Sequence, residues 1–226
     1  FGTLSLIFSY IILFNVILSY GLETSFFRFY NKEKNKKDVL NTAAVSILIS
    51  SFLFASIFSI FKINISNFTG ISTGYLSIIV WILVVDALTV IPFAYLRLKG
   101  SAIKYSVVKI INVIIYFSLN IFLLIFLKDL ISSYEILESI YIENYEVAYI
   151  FIANLIASIS SLLLLLPFYF EINYKANIEL LKRMLAYGFP ILVSGLAFTI
   201  NETFDKILLD FLLPASVAKT QIGMYA

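Results

Sequence analysis

Residues 187–213 read YGFPILVSGLAFTINETFDKILLDFLL, an apolar run of helical length that keeps Glu202, Asp205, Lys206 and Asp210 within nine positions. A helix needs about 20 apolar residues to cross the hydrocarbon of a bilayer. A charge near the bilayer centre costs about 2.5–3.5 kcal/mol even on lenient insertion scales. A helix that keeps such residues turns them toward a water-filled cavity or a partner helix. Gly188, Gly195, Thr199, Glu202, Lys206 and Asp210 follow one another at spacings of three, four or seven, so they form one stripe. Glu202–Lys206 and Lys206–Asp210 are i,i+4 pairs of opposite sign, which lets each charge partly neutralise its neighbour.

The rest of the chain has the same character. Of its 226 residues 61% are hydrophobic and 13% charged, against about 25% charged in ordinary globular domains. The mean hydropathy is +0.98, and the chain reads as an integral membrane protein. It holds no cysteine and no histidine, which removes disulfides, thiol catalysis and Ser-His-Asp chemistry and disfavours zinc. A net charge of +2 gives no reason to expect nucleic acid. No cofactor or metal is expected. Six stretches are long and apolar enough to span: 1–20, 39–61, 74–96, 105–127, 147–170 and 185–213. Backbone groups in lipid must be satisfied within the segment, so the fold class is all-α, a polytopic membrane helix bundle. The chain starts in mid-pattern at Phe1 and stops at Ala226, as a piece of a longer protein would.

Lys and Arg fix the expected orientation. The 21–38 loop holds Arg28, Lys32, Lys34, Lys36 and Lys37; the 97–104 loop holds Arg97, Lys99 and Lys104; the 171–184 loop holds Lys175, Lys182 and Arg183. Between them, 62–73 has Lys62 alone, and 128–146 sets Lys128 against Asp129, Glu135, Glu138, Glu143 and Glu146. The three basic loops are therefore predicted to be cytoplasmic. Asn64-Ile65-Ser66 and Asn67-Phe68-Thr69 match glycosylation sequons on the outer side, a match that a chain so rich in Asn and Ile produces by chance.

Polar residues recur at helical spacing. Tyr105, Lys109, Asn112, Tyr116 and Asn120 share one face of the fourth span; Asn154, Ser158 and Ser161 share one of the fifth; Thr42, Ser46 and Ser50 share one of the second. Such faces either pack helices together or line a hydrated interior. Asp86, at the middle of the third span, is either a site of proton or cation coupling or a carboxyl hydrogen-bonded to a neighbouring helix. Pro92, one helical turn and a half further on, kinks or ends that helix. Asp210 is either a coupling group or an ordinary interfacial charge. Arg28 is either a positive-inside anchor or a bidentate holder of phosphate.

Four short motifs carry a resemblance. Gly21 to Tyr30 resembles the stretch after the second helix of polysaccharide-type flippases, in the multidrug/oligosaccharidyl-lipid/polysaccharide exporter superfamily. Tyr187-Gly188-Phe189-Pro190 resembles the opening of their seventh helix, and Asn201 to Ile207, with its Asp205-Lys206 pair, resembles a motif within it. Ile222-Gly223-Met224-Tyr225-Ala226 is similar to the stretch that follows, and Phe1-Gly2-Thr3-Leu4-Ser5 to its counterpart after the first helix. Leu213 to Gln221 departs from the family in being longer and more polar than its short glycine turn. The resemblance implies helices 2–7 of about 12–14. Residues 1–184 would be most of the N-terminal bundle and 185–226 the truncated first part of the C-terminal bundle.

It further implies a transporter, not an enzyme, that flips a polyprenyl-pyrophosphate-linked oligosaccharide from the cytoplasmic to the outer leaflet of a bacterial inner membrane. Lipopolysaccharide-type surface glycans are the expected product, by alternating access coupled to H⁺ or Na⁺. Arg28, Lys206, Lys109, Asn112 and Tyr116 are then candidates for contacting the substrate. Asp86, Glu202, Asp205 and Asp210 are candidates for ion coupling. Membrane lipid and other polysaccharide-assembly membrane proteins are the expected partners. A multidrug or cation antiporter of the same superfamily would keep the fold and the carboxylates. A membrane-embedded glycan polymerase or ligase would display a large outer loop with Arg or His, and 128–146 has neither. A purely structural membrane protein would not need buried charges on one stripe.

Overall fold

The structure, a computed structural model, describes residues 2–127 and 145–225. Regular structure among them is helical: α1 (Gly2–Ser19), α2 (Leu22–Lys32), α3 (Lys36–Thr69), α4 (Thr73–Leu98), α5 (Ala102–Ile121, continued by a π-helical turn Phe122–Phe126), α6 (Glu146–Phe170), α7 (Ile178–Leu212) and α8 (Ala215–Tyr225). Among the described residues six segments are long and apolar enough to cross a membrane: Gly2–Lys32, Lys36–Thr69, Thr73–Leu98, Ala102–Phe126, Glu146–Phe170 and Ile178–Asp210. The expected all-α, multi-pass membrane bundle is what forms. The acidic 128–144 stretch lies outside the described residues.

Three expected loops prove to be largely helical. Between 22 and 32 the charges sit on α2, whose Leu22, Ser25, Phe26 and Phe29 are buried at spacings of three and four. That is an amphipathic face, and the helix needs only one apolar stripe to pack. Helix α7 begins at Ile178 instead of 185 because Asn177 caps it, its side chain accepting from the Leu180 amide at 3.0 Å. Helix α3 runs to Thr69, well past 61. The polar Leu213–Gln221 stretch mostly joins α8.

Two compact units divide the chain: Phe1–Ser51 with Ile172–Ala226, and Phe52–Glu171. In the first, α1 packs on α7 and α8, and α2 packs on α7. The break between α1 and α2 is made by Tyr20 and Gly21, both at positive φ (33° and 67°). A side chain at Gly21 would overlap the Gly188 carbonyl of α7, so a glycine is needed there twice over. Tyr20 is held in its unfavourable backbone conformation by its phenol, which bonds the Ser46 hydroxyl at 2.8 Å. Thr42 accepts from the Asn177 amide at 3.0 Å. The Thr42/Ser46/Ser50 face of α3 is thus a packing face.

In the second unit α4, α5 and α6 pack together. Helix α4 is its core, with 67% of its apolar window buried against 6% for α5, the least buried of the three. Pro92 does not end α4, which continues to Leu98. It does deprive the Leu88 carbonyl of its helical donor, and the buried Tyr169 hydroxyl of α6 donates to that oxygen at 2.5 Å.

Candidate functional site

The first unit carries a basic cluster where α2 meets the start of α7. The Arg28 guanidinium carbon lies 4.1 Å from the centroid of the Tyr187 ring, and Phe29 meets the same ring edge-on. Arg183 donates to the Glu33 carboxylate at 2.8 Å. Below them Ser25 donates to the Met184 carbonyl at 2.9 Å, tying α2 to α7. Arg28 is exposed. A guanidinium held over an aromatic ring still has N–H donors for a planar or tetrahedral oxyanion.

The glycine end of the α7 stripe is spent on packing. Gly188 meets Gly21 and Ser25, and Gly195 meets Val16 of α1. Thr199, Thr203 and Ile207 continue the buried face. Lys206 and Asp210 lie along this face half-buried, and Asp210 is within electrostatic reach of Tyr10 on α1. Glu202 lies at its edge and is exposed. Asp205 is half-buried, and its Oδ1 accepts from the Lys206 amide at 2.8 Å. Among the described residues no ion pair within 4.0 Å joins Lys206 to Glu202 or to Asp210. Beside Asp205 a groove of about 610 Å³ runs between α7 and α8, lined by Leu208, Leu212, Val217 and Gln221. Among the described residues that line it, Asp205 is the charged one.

The second unit brings together Asp86 and Asn112 through two serines of α6. The Ser158 hydroxyl donates to Asp86 Oδ1 at 2.7 Å. One helical turn along, Asn112 Nδ2 donates to Ser161 Oγ at 3.0 Å. Thr89 donates to the Asp86 carbonyl at 2.8 Å. Asp86 is only partly buried, whereas Ser158 and Ser161 are 5% and 4% exposed. Lys109 lies 4.3 Å over the Phe93 ring. The Tyr116 carbonyl accepts from Asn120 of its own helix. Asn112 therefore serves as interhelical glue, and Asp86 is a carboxyl that accepts from a hydroxyl of the neighbouring helix. Among the described residues no three of His, Cys, Asp or Glu are grouped to hold a metal ion.

Arg28, Glu202, Asp205, Lys206 and Asp210 belong to the first unit; Asp86, Lys109, Asn112 and Tyr116 belong to the second. Tyr187, Arg183, Glu33 and Tyr169 gain their roles from contacts remote in sequence. No local pattern announces such contacts, although Tyr187 opens a motif that the sequence does single out. The family model for polysaccharide biosynthesis proteins matches the chain over residues 1–226. No curated protein and no solved structure matches it.

Proposed function

The chain belongs to the polysaccharide biosynthesis protein family, and from that premise we propose that it is a transporter, not an enzyme, that moves a polyprenyl-pyrophosphate-linked oligosaccharide from the cytoplasmic to the outer leaflet. The observation that carries this reading is the Arg28 guanidinium, exposed and stacked 4.1 Å over Tyr187 at one end of the membrane helices. A pyrophosphate needs N–H donors at the headgroup level, and this arginine offers them. Lys206 follows on α7 as a second cation for the migrating headgroup, and Lys109 is the less favoured third.

Transport by alternating access needs two halves that move about the substrate. In this reading residues 1–184 contribute to one half, and residues 185–226 open the other. Asp86, Glu202, Asp205 and Asp210 are the carboxylates available to exchange H⁺ or Na⁺ against the substrate. The basic 21–38, 97–104 and 171–184 stretches face the cytoplasm of a bacterial inner membrane, and assembly proteins for lipopolysaccharide-type glycans are the partners.

The test is reconstitution of the whole protein in liposomes. Movement of a fluorescent lipid-linked oligosaccharide between leaflets supports the reading. Uptake of an amphipathic cationic dye with no movement of the lipid-linked sugar would replace it with an antiporter.

A further inference from the structure

We propose that the groove between α4, α5 and α6 is a binding site for an anionic phospholipid, with its phosphate held by Lys99 and Lys104 and an acyl chain lying along α5 and α6. The groove has a volume of about 380 Å³, within the ~300–1,000 Å³ at which proteins hold small ligands. Its walls are apolar, from Val107 and Ile111 on α5 and Leu164 and Pro167 on α6. Its charged lining groups are Lys99, Lys104 and Glu171, and each is exposed.

All three charges fall at one membrane boundary. Lys99 follows the last residue of α4, Lys104 lies in the first turn of α5, and Glu171 follows the last residue of α6. The apolar walls run inward from that end along the two helices. The groove therefore sets charge at headgroup depth above a hydrocarbon-lined trough, the layout of one phospholipid. Ile103 and Val107, both lining residues, are 81% and 47% exposed, so the trough is open along α5.

The balance of two lysines against one glutamate selects an anionic headgroup over a zwitterionic one. Basic pockets between membrane helices hold acidic headgroups in this way. Lys99 is also steadied 4.6 Å over the Tyr95 ring, and Tyr95 meets Phe168 edge-on at 5.4 Å, so the cation sits on a packed aromatic floor. At the same rim Ser101 makes no side-chain cap to α5. This site is independent of Arg28 and the transport reading.

The experiment uses the whole protein, purified in detergent and charged with phosphatidylglycerol or phosphatidylcholine before native mass spectrometry and thermal unfolding. Retention of phosphatidylglycerol in preference to phosphatidylcholine, with a higher melting temperature, is expected of the wild type. The double variant Lys99→Gln/Lys104→Gln should lose both effects. Val107→Phe/Ile111→Phe, which fills the trough without touching a charge, should lose the retained lipid as well. The control pair Lys34→Gln/Lys37→Gln should keep both effects. Retention by the two groove variants, or equal loss in the control pair, would overturn the site. Displacement of the retained lipid by equimolar polyprenyl phosphate would overturn the phospholipid assignment in favour of the transported lipid.

Discussion

The Tyr169 hydroxyl donates to the Leu88 carbonyl, the one oxygen of α4 that Pro92 leaves without a helical donor. A proline in mid-helix is tolerated when a neighbour supplies the missing hydrogen. Here α6 supplies it, which locks the register of α6 on α4. Tyr169→Phe should therefore destabilise the protein by about 0.6 kcal/mol, the average for hydrogen bonds between membrane helices, and by at most about 1.7 kcal/mol. Unfolding of the purified protein by a denaturing detergent measures it, and Tyr169→Phe/Pro92→Ala should recover most of the loss.

Asp86 and Ser158 separate structure from transport. Asp86→Asn keeps an oxygen for the Ser158 donor, so the tie to α6 survives. Transport should nevertheless fall if this carboxyl exchanges an ion. Ser158→Ala should do the reverse, lowering stability while leaving ion dependence intact. Wild-type transport by Asp86→Asn would remove the coupling role.

Gly21 and Gly188 are in backbone contact, and Gly21 is left-handed. Gly21→Ala should cost more than the ~1–2 kcal/mol of a left-handed alanine, because its methyl also overlaps the Gly188 carbonyl. Gly100→Ala, left-handed too but with nothing near its Cβ, should cost only the conformational part. Melting temperatures of the two variants give the comparison.

Arg28 and Tyr187 act as a stacked pair. Arg28→Lys keeps the charge but loses the planar fork and most of the stacking, so it should bind a lipid pyrophosphate more weakly than the wild type. Tyr187→Leu should weaken binding by a smaller factor, since stacking at an exposed site contributes about 0.5–1 kcal/mol. Titration with a short-chain polyprenyl pyrophosphate distinguishes the two.

Much of this was legible in the chain. The six crossings follow from apolar length, which the bilayer demands directly. Helix α2 escaped because its five apolar and aromatic positions are interleaved with Glu23, Arg28 and Lys32, and charge density masks a narrow buried stripe. The start of α7 was hidden for the same reason by Lys182 and Arg183, although Asn177 before an apolar-periodic run is a cap signal. The polar faces of α3 and α5 were visible as faces, but their partners were not. Only tertiary structure joins Tyr20 to Ser46 or Asn112 to Ser161. The stripe on α7 divides by use: its glycines pack on α1 and α2, while its charged residues flank the buried line of Thr199, Thr203 and Ile207.

The most direct test is the rate at which a lipid-linked oligosaccharide crosses between leaflets in liposomes holding the whole protein, wild type against Arg28→Ala. Losing a hydrogen bond to a charged group removes about 1.5–3 kcal/mol, so the account predicts active wild type and a fall of roughly tenfold or more in the variant. A wild type that moves no such lipid, or an Arg28→Ala protein that moves it equally fast, would contradict it.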